Sequence, residues 1–163
     1  MTQLDELHRF IHDHIPGRLM DTAGADEWMD DIELVRSVKD LGLGQRRIAV
    51  RRYSGVLAWE RWPYRQMSPD FLFALVCAWL DDHGNDLREQ LSLDDPTVYV
   101  EVRDNQTAII MITVPLVDEI TLVPDENGPV PYGMERYRLD APEIHTATDL
   151  TVYGIKAGED DAG

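Results

Sequence analysis

The chain has 163 residues, of which 44% are hydrophobic, so it is long enough for one domain with a core of its own. It carries 31 acidic and 15 basic side chains, which give a formal net charge of −16. Such a surface repels DNA phosphates, so the charge excludes a protein that grips nucleic acid through a basic face, but not one past which DNA slides.

The first part of the chain predicts one short helix. Apolar side chains recur at helical spacing over residues 4–14, and Pro16 with Gly17 ends the pattern. Residues 18–31 have no clear period and are expected to be irregular. Residues 1–6 lack the basic and apolar regions of a signal peptide, so we expect synthesis in the cytoplasm.

Two extended segments follow this region. The pattern from Ile32 predicts a strand that ends in a loop at residues 41–44. A second strand is predicted over residues 48–62. Ser54 with Gly55 within it indicates a bulge or a tight turn.

The most informative segment is an apolar helix that starts at Ser68 and closes at Gly84. Ser68 can cap the free amides, Pro69 suits the first turn, and Gly84 can take the left-handed conformation that closes the last turn. Residues 71–80 are all apolar, whereas a helix with one face on a core shows polar residues elsewhere. We therefore expect cover on several sides, partly by another copy of the protein. Ten apolar residues are too few to span a bilayer, which takes about 20.

This helix supplies two sets of candidate residues. The first set is predicted to anchor the helix in the core: Leu72, Leu75, Val76, Trp79 and Leu80. The second set is predicted to meet a neighbouring subunit: Phe71, Phe73 and Cys77. Cys77 is the only cysteine, so an internal disulfide is impossible, and its place in the apolar helix predicts a buried, inert thiol.

The clearest strand signal comes after the helix. Residues 97–103 alternate, with three valines on one face, which predicts a half-buried strand. Residues 108–114 predict a strand that is apolar on both faces. Pro115 is expected to interrupt it, so that residues 116–123 bend away or run along an edge.

The order of elements predicts an α+β fold in which an antiparallel or mixed sheet packs against two helices. We assign this domain to residues 1–125. Residues 126–163 contain three prolines and scattered aromatic side chains, and are predicted to be an extended arm with a short strand at residues 150–153 and an acidic tail. The arm wraps its own subunit or reaches onto another one.

Residue types that support catalysis or metal binding occur without a convincing arrangement. His8 and His12 have the spacing of a zinc site, but a third ligand and the glutamate of a zinc protease motif are absent. The chain has neither a glycine-rich phosphate loop nor the nucleophile elbow of hydrolases. Adjacent acids are common, and only Asp118 with Glu119 stands out, because the pair interrupts an apolar strand. We expect no enzyme activity, no metal and no cofactor.

Arginine is concentrated in one part of this acidic chain. Six of the thirteen arginines lie within twenty residues: Arg46, Arg47, Arg51, Arg52, Arg61 and Arg65. Arginine forms bidentate pairs with carboxylates and is enriched at interfaces. The first four are candidates for contact with the acidic face of an identical neighbour, head to tail, and such contacts can close into rings. Pairing with acids of the same subunit and contact with phosphate are the alternatives.

The apolar helix ends in the sequence VCAWLDDH at residues 76–83, and Asp86 with Leu87 follows shortly. Strand-like segments surround it, at residues 52–59, 99–102, 112–119 and 150–154. This order of motifs resembles the tail completion protein R family of contractile-tailed temperate phages. The resemblance covers about residues 46–154.

The resemblance implies a virion structural protein with a tail-terminator-like fold, located at the head-proximal end of a tail. Such a protein forms a homomeric ring, with six as the expected number of copies, and its lumen lets DNA pass without specific binding. The implied partners are the tail tube or sheath protein and the head–tail connector. The alternatives are another connector or tube-associated protein and, in a different class, a small-molecule binding domain with a pocket beside Trp59, Trp62 and Trp79.

Overall fold

Four helices and six strands form in the part of the chain that the computed structural model describes, residues 2–84 and 86–140. The helices are α1 (Gln3–His14), α2 (Gly17–Ala23), α3 (Pro69–His83) and α4 (Asp86–Gln90). The strands are β1 (Ala25–Gly42), β2 (Gln45–Trp62), β3 (Thr97–Val102), β4 (Ala108–Pro124), β5 (Val130–Tyr132) and β6 (Glu135–Leu139). The predicted α+β class is confirmed.

The strands form one sheet in the order β1-β2-β4-β6-β5, and β3 also pairs with β4. β3 and β4 are antiparallel, from Thr97 opposite Thr113 to Val102 opposite Ala108. β6 is antiparallel to a later part of β4, where Leu122 lies opposite Leu139. Within the described residues, β1 and β3 each pair with one strand only, so each has an open edge.

Contacts divide the chain into two compact units. The larger unit consists of Gln3–Arg36 and Ala49–Glu119. Among the described residues, the smaller unit consists of Thr2, Ser37–Ile48 and residues 120–140. The long strands β1, β2 and β4 contribute residues to both units. The predicted boundary at residue 125 stays a prediction.

Tryptophan side chains fill the core of the larger unit. Trp59 and Trp62 of β2 meet edge to face with their ring centroids 6.1 Å apart, and Trp62 Nε1 donates to the Met67 carbonyl at 2.9 Å. Trp79 of α3 belongs to the same buried cluster. These three residues are core side chains rather than walls of the ligand pocket considered above.

Gly55 allows α1 to lie close to the sheet. Leu4, Leu7 and Ile11 line the buried face of α1. A Cβ at Gly55 would lie 2.9 Å from Leu116 Cδ1 and 3.0 Å from Leu4 Cδ1, so the missing side chain makes room for both leucines. The tight turn considered at Ser54 and Gly55 is wrong, because β2 runs unbroken through them, and the bulge stays a prediction.

The prediction that residues 18–31 are irregular is also wrong, because α2 and the start of β1 lie there. α2 has seven residues, too few for a helical period to stand out, and it closes at Gly24 with a left-handed φ of 70°. In the first part of β1 the half-buried positions alternate with exposed ones, but one of them is the acidic Glu27. Because the half-buried Glu27 is acidic, the alternation of apolar and polar residues that indicates a strand is not visible in the sequence.

Pro115 does not interrupt its strand, contrary to the sequence prediction, since β4 continues through it to Pro124. Pro115 lies between the stretch of β4 that pairs with β3 and the stretch that pairs with β6. A missing amide at this position therefore removes no hydrogen bond from either of those two ladders.

Part of the predicted extended arm is a β-hairpin instead. β5 and β6 pair with each other, and β6 joins the sheet beside β4. Tyr137 of β6 is buried. Pro129 and Pro131 hide the strand pattern in this short segment. The strand predicted at residues 150–153 and the acidic tail lie outside the described residues.

His8 connects α1 to β1 through an ion pair. Its Nδ1 lies within hydrogen-bond distance of the Glu27 carboxylate. Burial alone lowers the pKa of His8, but the hydrogen bond and charge of Glu27, with the charges of Asp5 and Asp26, outweigh it and raise the pKa above 6.5. The folded state therefore favours the protonated imidazole.

Gly55→Val is expected to lower the free energy of unfolding by about 1–3 kcal/mol, because the added methyl groups enter space held by Leu4 and Leu116. Gly17→Ala is the matched control, since a Cβ there meets no atom within 4 Å in the described chain. Urea unfolding followed by tryptophan fluorescence measures both. A Gly55→Val protein as stable as its parent would contradict the close approach of α1.

The raised pKa of His8 predicts a pH-dependent stability. Protonated His8 stabilises the fold fully below about pH 6.5, and this contribution is lost as the pH rises through the folded-state pKa. His8→Gln should remove that part of the pH dependence, and Glu27→Gln should weaken or reverse it, because burial then lowers the pKa of His8 against only the charges of Asp5 and Asp26. Urea unfolding at a series of pH values from 5.5 to 8 tests this, and an unchanged slope in both variants would refute it.

Candidate assembly surface

The helix α3 forms where the sequence predicts it. Ser68 Oγ accepts a hydrogen bond from the Asp70 amide at 3.1 Å, and Pro69 occupies the first turn. The prediction of a left-handed Gly84 is wrong: its φ is −64° and its ψ is 140°. The Gly84 amide donates to the Leu80 carbonyl at 3.0 Å, and a Cβ there would lie 2.6 Å from that oxygen. The close approach explains the glycine.

Within residues 2–84 and 86–140, one face of α3 is fully buried. Leu72, Val76 and Trp79, at spacings of four and three, are at most 2% exposed, while Leu75 and Leu80 are partly buried. These are the five predicted core anchors. On other faces Ala74 and Ala78 are exposed, as are two of the predicted interface residues, Phe71 and Cys77.

The predicted interface residues of α3 therefore differ in burial. Phe71 is 38% exposed and Phe73 is partly buried. The expectation of a buried thiol is wrong, because Cys77 is exposed. Three apolar turns with an uncovered side agree with the need for further cover, but the role of these residues between subunits stays a prediction.

Strand β3 adds an open apolar surface next to this helix. The strand itself is confirmed, but its predicted half-burial is wrong, because all six residues are exposed. Val98, Val100 and Val102 are between 45% and 61% exposed. The valines still alternate with polar residues, because side chains alternate between the two faces of any strand, whether or not a face is covered.

A groove of about 530 Å³ runs between α3 and β3, and we call it the α3–β3 groove. It has apolar walls and charged side chains at its rim. Its lining consists of Phe73, Val76, Cys77, Leu80, Asp81, Arg88, Asp95, Pro96, Val98 and Ile112.

Arg88 fixes the segment that leads from α4 to β3. Its guanidinium donates to the backbone carbonyl of Pro115 and, at 2.7 Å, to that of Asp94. Burial lowers the pKa of Arg88. Leu87 packs with Val50 and Val117 in a small second cluster. These contacts fix the segment that carries Asp95, one of the acidic residues that line the groove.

The four candidate arginines of β2 all have contacts within their own chain. Arg46 lies over the Tyr132 ring at 5.8 Å. Arg47 is buried, and its Nη2 donates to Ser37 Oγ at 2.7 Å. Arg51 Nη2 lies 3.3 Å from Asp118, and Arg52 Nε lies 3.5 Å from Glu33. These contacts favour pairing within the subunit, and the interface role of the arginines stays a prediction.

Asp118, the carboxylate that interrupts an apolar strand, anchors the start of α1. Its Oδ1 accepts from the Gln3 amide at 2.8 Å, and its Oδ2 accepts from Tyr53 Oη at 2.7 Å and from Arg51. Tyr53 Oη in turn accepts from the Leu4 amide at 3.3 Å. A carboxylate at a helix N-terminus is favourable. Asp118 thus has a structural role that accounts for its place in the strand.

Tyr53 is held as a neutral phenol in this cluster. Burial raises its pKa most, and the charge and hydrogen bond of Asp118 raise it further. The phenol therefore stays a donor to Asp118 across the physiological pH range. The arrangement is suited to holding α1 on the sheet rather than to proton transfer.

One exposed apolar feature was not predicted: the hairpin tip, residues 38–44, formed by the end of β1 and the turn into β2. Leu43 is 95% exposed and has a left-handed φ of 54° between Gly42 and Gly44, which also have positive φ. Val38 and Leu41 of the same tip are 58% and 41% exposed. Two glycines on either side of a leucine indicate a turn in the sequence. The prediction of a turn does not show whether other residues cover the leucine side chain.

The described residues contain no group of three or more histidine, cysteine, aspartate or glutamate side chains placed to hold a metal ion. The His8 and His12 rings lie 5.8 Å apart, and His8 is engaged by Glu27. None of the helices described is both long and apolar enough to cross a membrane.

Comparison with known proteins gives one family. Residues 1–142 match the family described as P2 phage tail completion protein R (GpR). The chain is also similar to an uncharacterized 19.2 kDa protein in the rep-hol intergenic region of Haemophilus phage HP1 (strain HP1c1). The two are 23% identical over 125 residues, which cover 77% of this chain and 75% of the relative. No solved structure matches the chain.

Asp118→Asn should lower the free energy of unfolding by about 1–3 kcal/mol, because it removes the charge that Arg51, Tyr53 and the start of α1 share. Glu126→Gln removes an exposed carboxylate from a loop and serves as the control. Thermal unfolding followed by circular dichroism compares the two. Equal stability of the Asn variant and its parent would contradict an anchoring role for Asp118.

Proposed function

Since the chain belongs to the P2 phage tail completion protein R family, we propose that it is the terminator of a contractile phage tail. It forms a homomeric ring, with six as the expected number, at the head-proximal end of the tail. The ring stops growth of the tube and offers the surface on which the head connector joins. It acts as a structural protein without a catalytic step.

The observation that carries this proposal, beyond the family, is the uncovered side of α3. A helix with ten successive apolar residues buries one face against the part of its chain that the structure describes. Large exposed apolar surfaces in small proteins indicate interaction sites. The open edges of β1 and β3 add backbone groups that a neighbour can pair with.

The charge supports a ring through which DNA passes. The chain has a net charge of −16, and the four candidate arginines of β2 have contacts within their own subunit. A lumen lined by such a chain repels phosphates, so DNA slides through without specific binding. The tail tube or sheath protein and the head connector are the proposed partners at the two faces of the ring.

A phage that lacks this gene is expected to make tails of irregular and excessive length that do not join heads, because nothing ends tube growth. Electron microscopy of lysates measures tail length. Supplying the protein from a plasmid should restore uniform tails, which is the control.

The same experiment separates a terminator from a connector. Loss of a connector leaves tails of normal length beside unattached heads, so that outcome would assign the protein to head joining instead. Light scattering of the purified protein should give about six times the 18.6 kDa of one chain, alone or with tail tube. A protein that stays monomeric at high concentration in both conditions would overturn the ring.

A further inference from the structure

We propose that the hairpin tip of one copy inserts into the α3–β3 groove of the next copy. This inference rests on the proposed ring and identifies the two surfaces that would form each contact. The occupant of the groove is a second copy of this chain.

The hairpin tip presents apolar side chains in a fixed conformation. Leu43 is 95% exposed, and the Gly42 amide donates to Asp40 Oδ1 at 2.9 Å, which ties the turn to the end of β1. Gly44 is pressed against Pro124, whose Cγ would lie 2.9 Å from a Cβ at that position. A leucine displayed on a supported turn loses little conformational freedom when it docks.

The groove offers a matching apolar site. Its volume of about 530 Å³ is open to solvent between Phe73, Cys77 and Leu80 of α3 and Val98 of β3. The exposed edge of β3 adds unpaired backbone groups beside it. An extended segment that enters here can bury apolar side chains and also form strand hydrogen bonds.

The charges of the two surfaces are complementary. Residues 36–47, which contain the hairpin tip, carry four basic side chains and one acidic side chain in a chain of net charge −16. Residues 81–95, which border the groove, carry six acidic side chains and one basic side chain. Opposite charges at the rim steer docking and fix its register.

The two surfaces are different parts of one chain, so each copy provides a hairpin tip to one neighbour and a groove to the other. This is a heterologous contact, which builds rings when its rotation closes. A two-fold dimer through α3 alone would leave the hairpin tip uncovered.

The native cysteine allows a direct test. In Leu43→Cys, the new thiol should come close to Cys77 of a neighbouring copy, and mild oxidation should give a ladder of covalent multimers on a non-reducing gel. Met134→Cys is the matched control, because Met134 is equally exposed, also at a hairpin turn with a left-handed φ. We expect at least about tenfold more covalent dimer from Leu43→Cys than from the control, since docking raises the local thiol concentration.

A mixing experiment assigns each thiol to its copy. Leu43→Cys combined with Cys77→Ser, mixed with the parent protein, should give covalent dimers and no longer multimers. In the Leu43→Cys single variant, which keeps Cys77, a fast-migrating crosslinked monomer would mean contact within one chain and would overturn the proposal. Rings that form by light scattering while Leu43→Cys links no better than Met134→Cys would leave the proposed function in place and refute this contact.

Charge reversal provides a second test that needs no crosslink. Lys39→Glu and Asp81→Lys should each weaken self-association about tenfold, and the double variant should recover to within about threefold of the parent. Asp13→Lys changes the net charge as Asp81→Lys does, but at an exposed position on α1, and should not weaken association. Weakening by Asp13→Lys equal to that by Asp81→Lys would show an effect of net charge alone and contradict a local contact.

Discussion

The arrangement of the larger unit depends on the hydrogen bonds that hold the start of α1 on Asp118. They join Gln3 to a residue 115 positions later in the sequence. With its first turn fixed, α1 lies over Gly55 and packs against α3, which places one face of α3 in the core. The uncovered side of α3 and its groove with β3 follow from this placement. The partly buried cluster around Asp118 thus influences which apolar surface of α3 stays exposed.

Acidic and basic residues have different roles in this chain. The acids outnumber the bases by about two to one, and most of the described acids are exposed. Arg47, Arg51 and Arg88 instead reach partly or fully buried positions where they satisfy backbone or side-chain oxygens of the same chain. Arginine suits such positions because it keeps its charge and offers several donors in one plane. The arginine-rich strand therefore strengthens the subunit, and the excess of acid remains for the surface.

The sequence was sufficient to predict the long elements and the class of fold, but not the environment of each element. α1, α3 and β3 were predictable because caps and periods act within a few residues. The exposure of β3 and of Cys77 was not, because a period shows which residues share a face without showing what covers it. Asp118 was noticeable as an acid in an apolar strand, yet its partner Gln3 lies 115 residues away. The continuous β4 was missed because the effect of Pro115 depends on which neighbouring strand is present at that point.

The open edge of β3 has a consequence for the protein before it assembles. An exposed strand with three uncovered valines is a template on which other extended chains can add, and such edges promote aggregation. Free copies that each have a net charge of −16 repel one another, which gives colloidal stability at low ionic strength. The same acidic surface that suits passage of DNA therefore also protects the unassembled protein. Counter-ions screen the repulsion between copies. The ionic strength of the cell would therefore influence how readily copies form the proposed ring.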